Sequence, residues 1–141
     1  MKPEEHSLHM QQALMYARRS KGVRAKVGAL LVTANGVLLP GYNGTAPGRS
    51  NDLERVDMKT GELVTKTEVI HAELNCIIKA AREGISCKGS TVYVTLSPCE
   101  HCAALLLSCG VSSVFYGEVY KSEDGINLLK QSGVQVHHVE T

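Results

Sequence analysis

Ile70-His71-Ala72-Glu73, followed downstream by Ser97-Pro98-Cys99-Glu100-His101-Cys102, decides how the rest of the chain is read. One imidazole and a Cys-X-X-Cys pair supply three zinc-type ligands, one short of the four that close a structural zinc site. The fourth position stays open to water, which marks a catalytic metal. Glu73 stands two residues after His71. On a regular helix that is roughly 200° round the axis, which separates it from a second ligand and suits an acid/base group beside the metal. A Cys-X-X-Cys pair alone also fits half of a zinc knuckle or a redox pair, and His-X-Glu alone arises by chance. A structural site needs a fourth ligand nearby, yet Cys76, Cys87 and Cys109 form no second closely spaced pair. Each of those three is read as a small buried hydrophobe.

The 141 residues fit one domain over 1–141, large enough to bury a core. Met1-Lys2-Pro3-Glu4-Glu5-His6 lacks the basic-then-apolar pattern of a signal peptide, and no apolar run approaches a membrane span. A soluble, cytoplasmic protein with no membrane partner is expected. Five cysteines, two of them assigned to the metal, leave an odd number with no disulfide framework, which agrees with a reducing compartment. The net charge is +1, with one Phe, five Tyr and no Trp. Such a chain lacks the basic excess and stacking platform of a nucleic-acid binder, so a small substrate is favoured.

In chain order, Ser7 is read as the cap of a first helix reaching about Ser20, with Leu8, Gln11, Leu14, Met15 and Arg18 in helical spacing. Val27 to Thr33 is a short apolar run without alternation, hence a strand covered on both faces. Ala34-Asn35-Gly36 is a turn, and Val37 to Tyr42 pairs back as a hairpin in which Pro40 marks an edge. Asn43 to about Thr67 is a long loop of the functional kind, with Thr60-Gly61 read as the tip of a short hairpin. A second helix spans about Ala72 to Arg82, with Leu74, Ile77, Ile78 and Ala81 towards the core and Gly84 as its stop. Thr91–Leu96, Val114–Tyr116 and Val134–Val139 are strands, separated by helices that begin near Cys99 and Ser122. Strands alternating with helices run parallel, whereas the first two form an antiparallel hairpin. A three-layer α/β/α fold around a mixed five-stranded sheet follows.

Both ligand groups fall at expected helix N-termini, whose positive dipole ends favour the thiolates of Cys99 and Cys102. A zinc ion there makes water nucleophilic near neutral pH. Glu73 would accept the water proton, pass it to a ring nitrogen of the substrate and protonate a leaving amine. An amine on an amidine-like heterocycle suits this equipment, and hydrolytic loss of ammonia is the expected reaction.

His-X-Glu followed by Pro-Cys-X-X-Cys is the signature of zinc-dependent nucleobase deaminases. Together with Val27-Gly28-Ala29, Gly41-Tyr42-Asn43-Gly44-Thr45 and Ile70-His71-Ala72-Glu73-Leu74-Asn75, the motifs make the chain resemble the deoxycytidylate (dCMP) deaminase family within the cytidine-deaminase-like superfamily. That resemblance implies one Zn2+ on His71, Cys99 and Cys102, Glu73 as proton shuttle, and conversion of dCMP to dUMP and ammonia for thymidylate synthesis. It further implies a homohexamer, activated by dCTP with Mg2+ and inhibited by dTTP. Gly41, Tyr42, Asn43 and Gly44 are implied effector-binding residues, with Asn43 also contacting substrate; Ala72 and Ser97 are further substrate-binding candidates. Some relatives carry an extra structural zinc on cysteines and histidines after the Gly-Tyr-Asn-Gly segment, but residues 44–70 here contain neither type. The family often has cysteine near the position of Gly22; glycine stands here.

A monophosphate needs cationic donors, and Arg24, before the first strand, suits one because guanidinium binds phosphate bidentately. Tyr120 follows the fourth strand, where ligands of parallel sheets gather, and is placed to close over a substrate. Arg49 and Lys66 are further cationic candidates. His101 lies between the zinc cysteines with spacing that points it away, while His6, His9, His137 and His138 show no partner pattern.

Overall fold

The computed structural model describes residues 3–141. A five-stranded sheet has the order β2-β1-β5-β6-β7, formed by β1 (Gly28–Val32), β2 (Leu38–Tyr42), β5 (Thr91–Leu96), β6 (Ser113–Glu118) and β7 (Gln135–His138). Strand β1 pairs antiparallel with both β2 and β5, whereas β5, β6 and β7 run parallel. The sheet is mixed, as expected, and Pro40 does lie on the edge strand β2, where its missing donor costs no central ladder bond.

Alternate strand residues feed two cores on opposite faces. Leu30, Val32, Tyr93 and Phe115 meet Met10 and Ala13 of α1 (Pro3–Ala17). Ala29, Leu31, Val92, Val94 and Val114 meet α2 (Ala72–Glu83), α3 (Glu100–Ser108) and α4 (Asp124–Gln131). Every residue of β1 is buried, which explains its unbroken apolar run. The Thr60-Gly61 hairpin is present as a separate ribbon, β3 (Glu54–Val56) paired antiparallel with β4 (Leu63–Thr65). Leu53 is buried at its base and accepts from Lys66 N at 2.8 Å.

Two helices turn a different face inward from the one their large apolar residues predict. Helix α1 is already helical at Pro3, ahead of the expected Ser7 cap, and Glu4 and Glu5 occupy its first turn, where carboxylates suit the helix dipole. It buries Met10, Ala13 and Ala17, while Leu8 and Met15 stay 54% and 64% exposed. Helix α2 buries Ala72, Glu73, Cys76 and Ala80, while Ile78 and Ala81 are exposed. The reason is proximity. A Cβ on Gly28 would sit 1.9 Å from Ala13 O, and one on Gly41 would sit 2.5 Å from Ala72 O. Helices lying that close to a sheet present small residues to it, whatever larger ones flank them.

Candidate active site

His71 and Cys99 are each the residue before a helix, with extended backbones (φ −67°, ψ 157° and φ −68°, ψ 167°). His71 therefore lies outside the helical frame in which Glu73 would be 200° away, and α2 instead turns Glu73 inward beside it. Cys99 caps α3 through its sulfur, which accepts from Cys102 N at 3.4 Å. Pro98, just ahead, needs no donor there and is fully buried. Gly125 in the first turn of α4 holds this corner, because a Cβ there would meet Pro98 O at 2.1 Å and Cys99 O at 2.8 Å. A glycine inside a helical stretch was the available sequence signal for that contact.

These placements bring three ligand atoms together. His71 Nδ1 lies 3.1 Å from Cys102 Sγ and 3.8 Å from Cys99 Sγ. All ligand atoms of the three residues fall within 4.8 Å of one another, and among the described residues no other such group of His, Cys, Asp or Glu forms. The donor set fits a zinc ion, being two sulfurs and an imidazole at two helix N-termini. The hydrogen bond with Cys102 and the His71 imidazole hold the Cys99 thiol down to about 3, whereas the Cys102 thiol is pushed up by its bond with Cys99 and by burial. The bond with Cys99 raises His71 in turn. A divalent cation bound by these three groups would displace protons from them.

Glu73 is 3% exposed. Burial pushes its carboxyl up to about 7, against opposing pulls from its own backbone N–H and from His71. A carboxyl poised there can both accept and return a proton near neutral pH. His101, between the two cysteines, is exposed and outside the ligand group.

The group opens into a cavity of about 310 Å³ at the carboxyl ends of β5 and β6. Arg24, Asn43, Ala72, Ser97 and Tyr120 all line it together with His71, Glu73 and Cys99. Two of them have their polar atoms engaged in holding walls. Asn43 Oδ1 accepts from Val27 N at 2.9 Å and Asn43 Nδ2 donates to Ala25 O at 3.0 Å. Ser97 Oγ accepts from Tyr120 N at 2.7 Å.

Gly41, Tyr42 and Gly44 stand outside the lining and knit their segment to α2. Gly41 backs on Ala72 and Cys76, Tyr42 O accepts from Asn75 Nδ2 at 2.7 Å, and Gly44 and Ile70 exchange backbone bonds of 3.1 and 2.8 Å. Arg49 and Lys66 do not line the cavity; Arg49 pairs on the surface with Glu68 at 3.2 Å. A cation that sequence reasoning missed, Lys121, does line it, with Nζ 5.5 Å above the Tyr120 ring. Its position one residue beyond Tyr120, at the same strand end, was the legible hint.

Comparison with known proteins agrees with this geometry. Residues 3–118 match the family described as the cytidine and deoxycytidylate deaminase zinc-binding region. A dCMP deaminase from the cyanophage S-TIM5, solved in complex with dCMP and dUMP, is 37% identical, with a TM-score of 0.87 over 99% of each chain. The deoxycytidylate deaminase of Enterobacteria phage T2 is 31% identical over 92% of this chain and 89% of its own length. The ComE operon protein 2 of Bacillus subtilis is 33% identical over 93% and 69% respectively. With its His-Cys-Cys group, its buried glutamate and a match across most of its length, the chain belongs to the cytidine and deoxycytidylate deaminase family of zinc-binding hydrolases.

Proposed function

We propose that this protein hydrolyses dCMP to dUMP and ammonia. The observation that carries the reading is one cavity lined by a buried Glu73, by His71 and Cys99, and by two cations, Arg24 and Lys121. The likeness to the cyanophage enzyme solved with dCMP and dUMP supports it. His71, Cys99 and Cys102 would hold zinc, which when bound supplies the Lewis acidity that makes water nucleophilic at neutral pH. Glu73 takes a proton from the water as its oxygen bonds to C4 and delivers that proton to ring N3. It then takes the proton of the new C4 hydroxyl and gives it to the amine as the C4–N bond breaks, which leaves the C4 carbonyl and free ammonia. Ala72, 0% exposed, and Leu96 wall the base and keep bulk water from the carboxyl. Arg24 and Lys121 meet the phosphate, and Tyr120 lies over the sugar side.

The same reading includes regulation by dCTP with Mg2+ and by dTTP, a homohexamer, a cytoplasmic setting and a place before thymidylate synthesis. Its support is the resemblance carried by Gly41-Tyr42-Asn43-Gly44 and, for the reducing setting, five free thiols. The test is ammonia release from dCMP, CMP, deoxycytidine and dCTP, with and without dCTP plus Mg2+ or dTTP. Turnover of dCMP raised by dCTP is expected. Zinc-loaded protein that leaves dCMP intact under every condition would send the assignment to another amino-heterocycle.

A further inference from the structure

The segment from Ser20 to Val27 reaches the cavity without regular secondary structure, so something else must fix the Arg24 that it carries. The β3–β4 hairpin does so at both ends of the residue. Glu54 Oε2 accepts from Val23 N at 2.8 Å and from Arg24 N at 3.1 Å. Arg24 Nη1 donates to Thr65 Oγ1 at 3.1 Å. Glu54 and Thr65 are direct cross-strand partners, so a single rung of the hairpin grips both the backbone and the guanidinium.

The charge arrangement matters more than the number of bonds. Two consecutive backbone N–H groups converging on one carboxylate oxygen form a small anion nest, and Glu54 fills it with its own charge. That engagement directs the carboxylate to the main chain. Among the described residues the Arg24 guanidinium has no ion pair, and its hydroxyl partner is neutral. The cation is thereby oriented while its charge stays available to an incoming anion. Thr65, the cross-strand partner of Glu54, itself lines the cavity with Arg24.

We infer that Glu54, through Arg24, is a positioning residue for the anionic group of the substrate, and that the β3–β4 hairpin sets affinity for it. Glu54 itself does not line the cavity. The inference rests on the reading of Arg24 as a phosphate-binding cation in a dCMP deaminase.

Steady-state kinetics with dCMP on Glu54→Ala, Glu54→Gln, Arg24→Ala and the Glu54→Ala/Arg24→Ala pair test it. Loss of a charge-assisted contact predicts a KM raised about tenfold in Glu54→Ala, with kcat held within about twofold. Glu54→Gln keeps an acceptor oxygen without the charge and should recover part of that loss. Glu54→Ala should add nothing once Arg24 is gone. If Arg24→Ala raises KM and Glu54→Ala does not, or if the two effects add in full, positioning is overturned while the substrate reading stands. If Arg24→Ala itself leaves KM unchanged, the phosphate role of Arg24 falls, and the inference with it. A parallel drop in kcat and melting temperature that Gln fails to rescue would make Glu54 a fold support and overturn the proposal.

Discussion

The two faces of the sheet carry similar side chains and do different things with them. On the α2–α3 face, one histidine and two cysteines place their ligand atoms within 4.8 Å at two helix starts, with a buried carboxyl alongside. On the α1 face, His6, His9 and His137 gather round Tyr93 and Phe115. There the rings stack: His6 lies 4.1 Å from Phe115 and Tyr93 lies 5.1 Å from Phe115 between centroids. Polar atoms on this face pair among themselves, His6 Nδ1 with Tyr93 Oη at 2.7 Å and His9 Nδ1 with Gln12 Oε1 at 2.8 Å. Histidine content does not distinguish a reactive site from a packed one. What distinguishes them is whether the backbone aims ligand atoms at one point, as the starts of α2 and α3 do, while His6 and His9 lie along the body of α1 and His137 on β7.

The sharpest way to break this contrast is at Glu73. Replacing it with Gln keeps shape and removes the group proposed to carry the proton, so turnover of dCMP should fall about 10²–10⁴-fold. Metal content measured on the same sample should stay at one zinc per chain, because Glu73 lies outside the ligand group. Loss of zinc together with activity would make Glu73 a support of the ligands and not the proton carrier.

Gly41 offers a second, more moderate break. A methyl there would lie 2.5 Å from Ala72 O, 2.9 Å from Cys76 Sγ and 3.0 Å from Cys76 N, two of these being backbone atoms that cannot swing aside. Overpacking of this kind costs about 1–3 kcal/mol, so Gly41→Ala should melt roughly 3–10 °C lower. The shift should also disturb His71, the residue next to Ala72. An unchanged melting temperature with a lost response to dCTP would instead make Gly41 a ligand residue, as the family resemblance implies.

The sheet and the metal group were legible for a physical reason: both depend on short-range patterns. Helix starts are announced by Pro98 and by the residue types after it, and buried strands by unbroken apolar runs such as Gly28–Val32. The inward faces of α1 and α2 were not legible, because the spacing between helix and sheet selects small residues. Leu8, Met15 and Ile78 look like core in sequence and are exposed. Contacts between distant segments were also hidden. Nothing near Glu54 announces Arg24, and nothing near Gly125 announces Cys99, since those meetings depend on how whole elements pack. Asn43 shows the intermediate case: its motif singles it out, but its bonds to Ala25 and Val27 are not visible there.

The smallest expected effects lie on the α1 face, and they test whether that cluster is only structural. Tyr93→Phe removes the hydroxyl bonded to His6 and should cost about 0.5–1.5 kcal/mol of stability, with dCMP turnover unchanged. His6 adds a pH signature. Burial lowers its pKa from the ordinary 6.5, the imidazoles of His137 and His9 push the same way, and Glu5 opposes them. The unfolded chain then binds the proton more readily than the folded one. Stability contributed by neutral His6 is therefore complete above about pH 6.5 and is lost as pH falls through the lower folded value. Denaturant midpoints at pH 5.5 and 7.5, compared between the native chain and His6→Phe, isolate this contribution from acid effects at the metal group. The native chain should lose more stability on acidification than His6→Phe, while an NMR titration of His6 gives a midpoint below 6.5. Equal losses in the two proteins would mean that His6 titrates without linkage to folding, and a fall in turnover on Tyr93→Phe would tie the two faces of the sheet together after all.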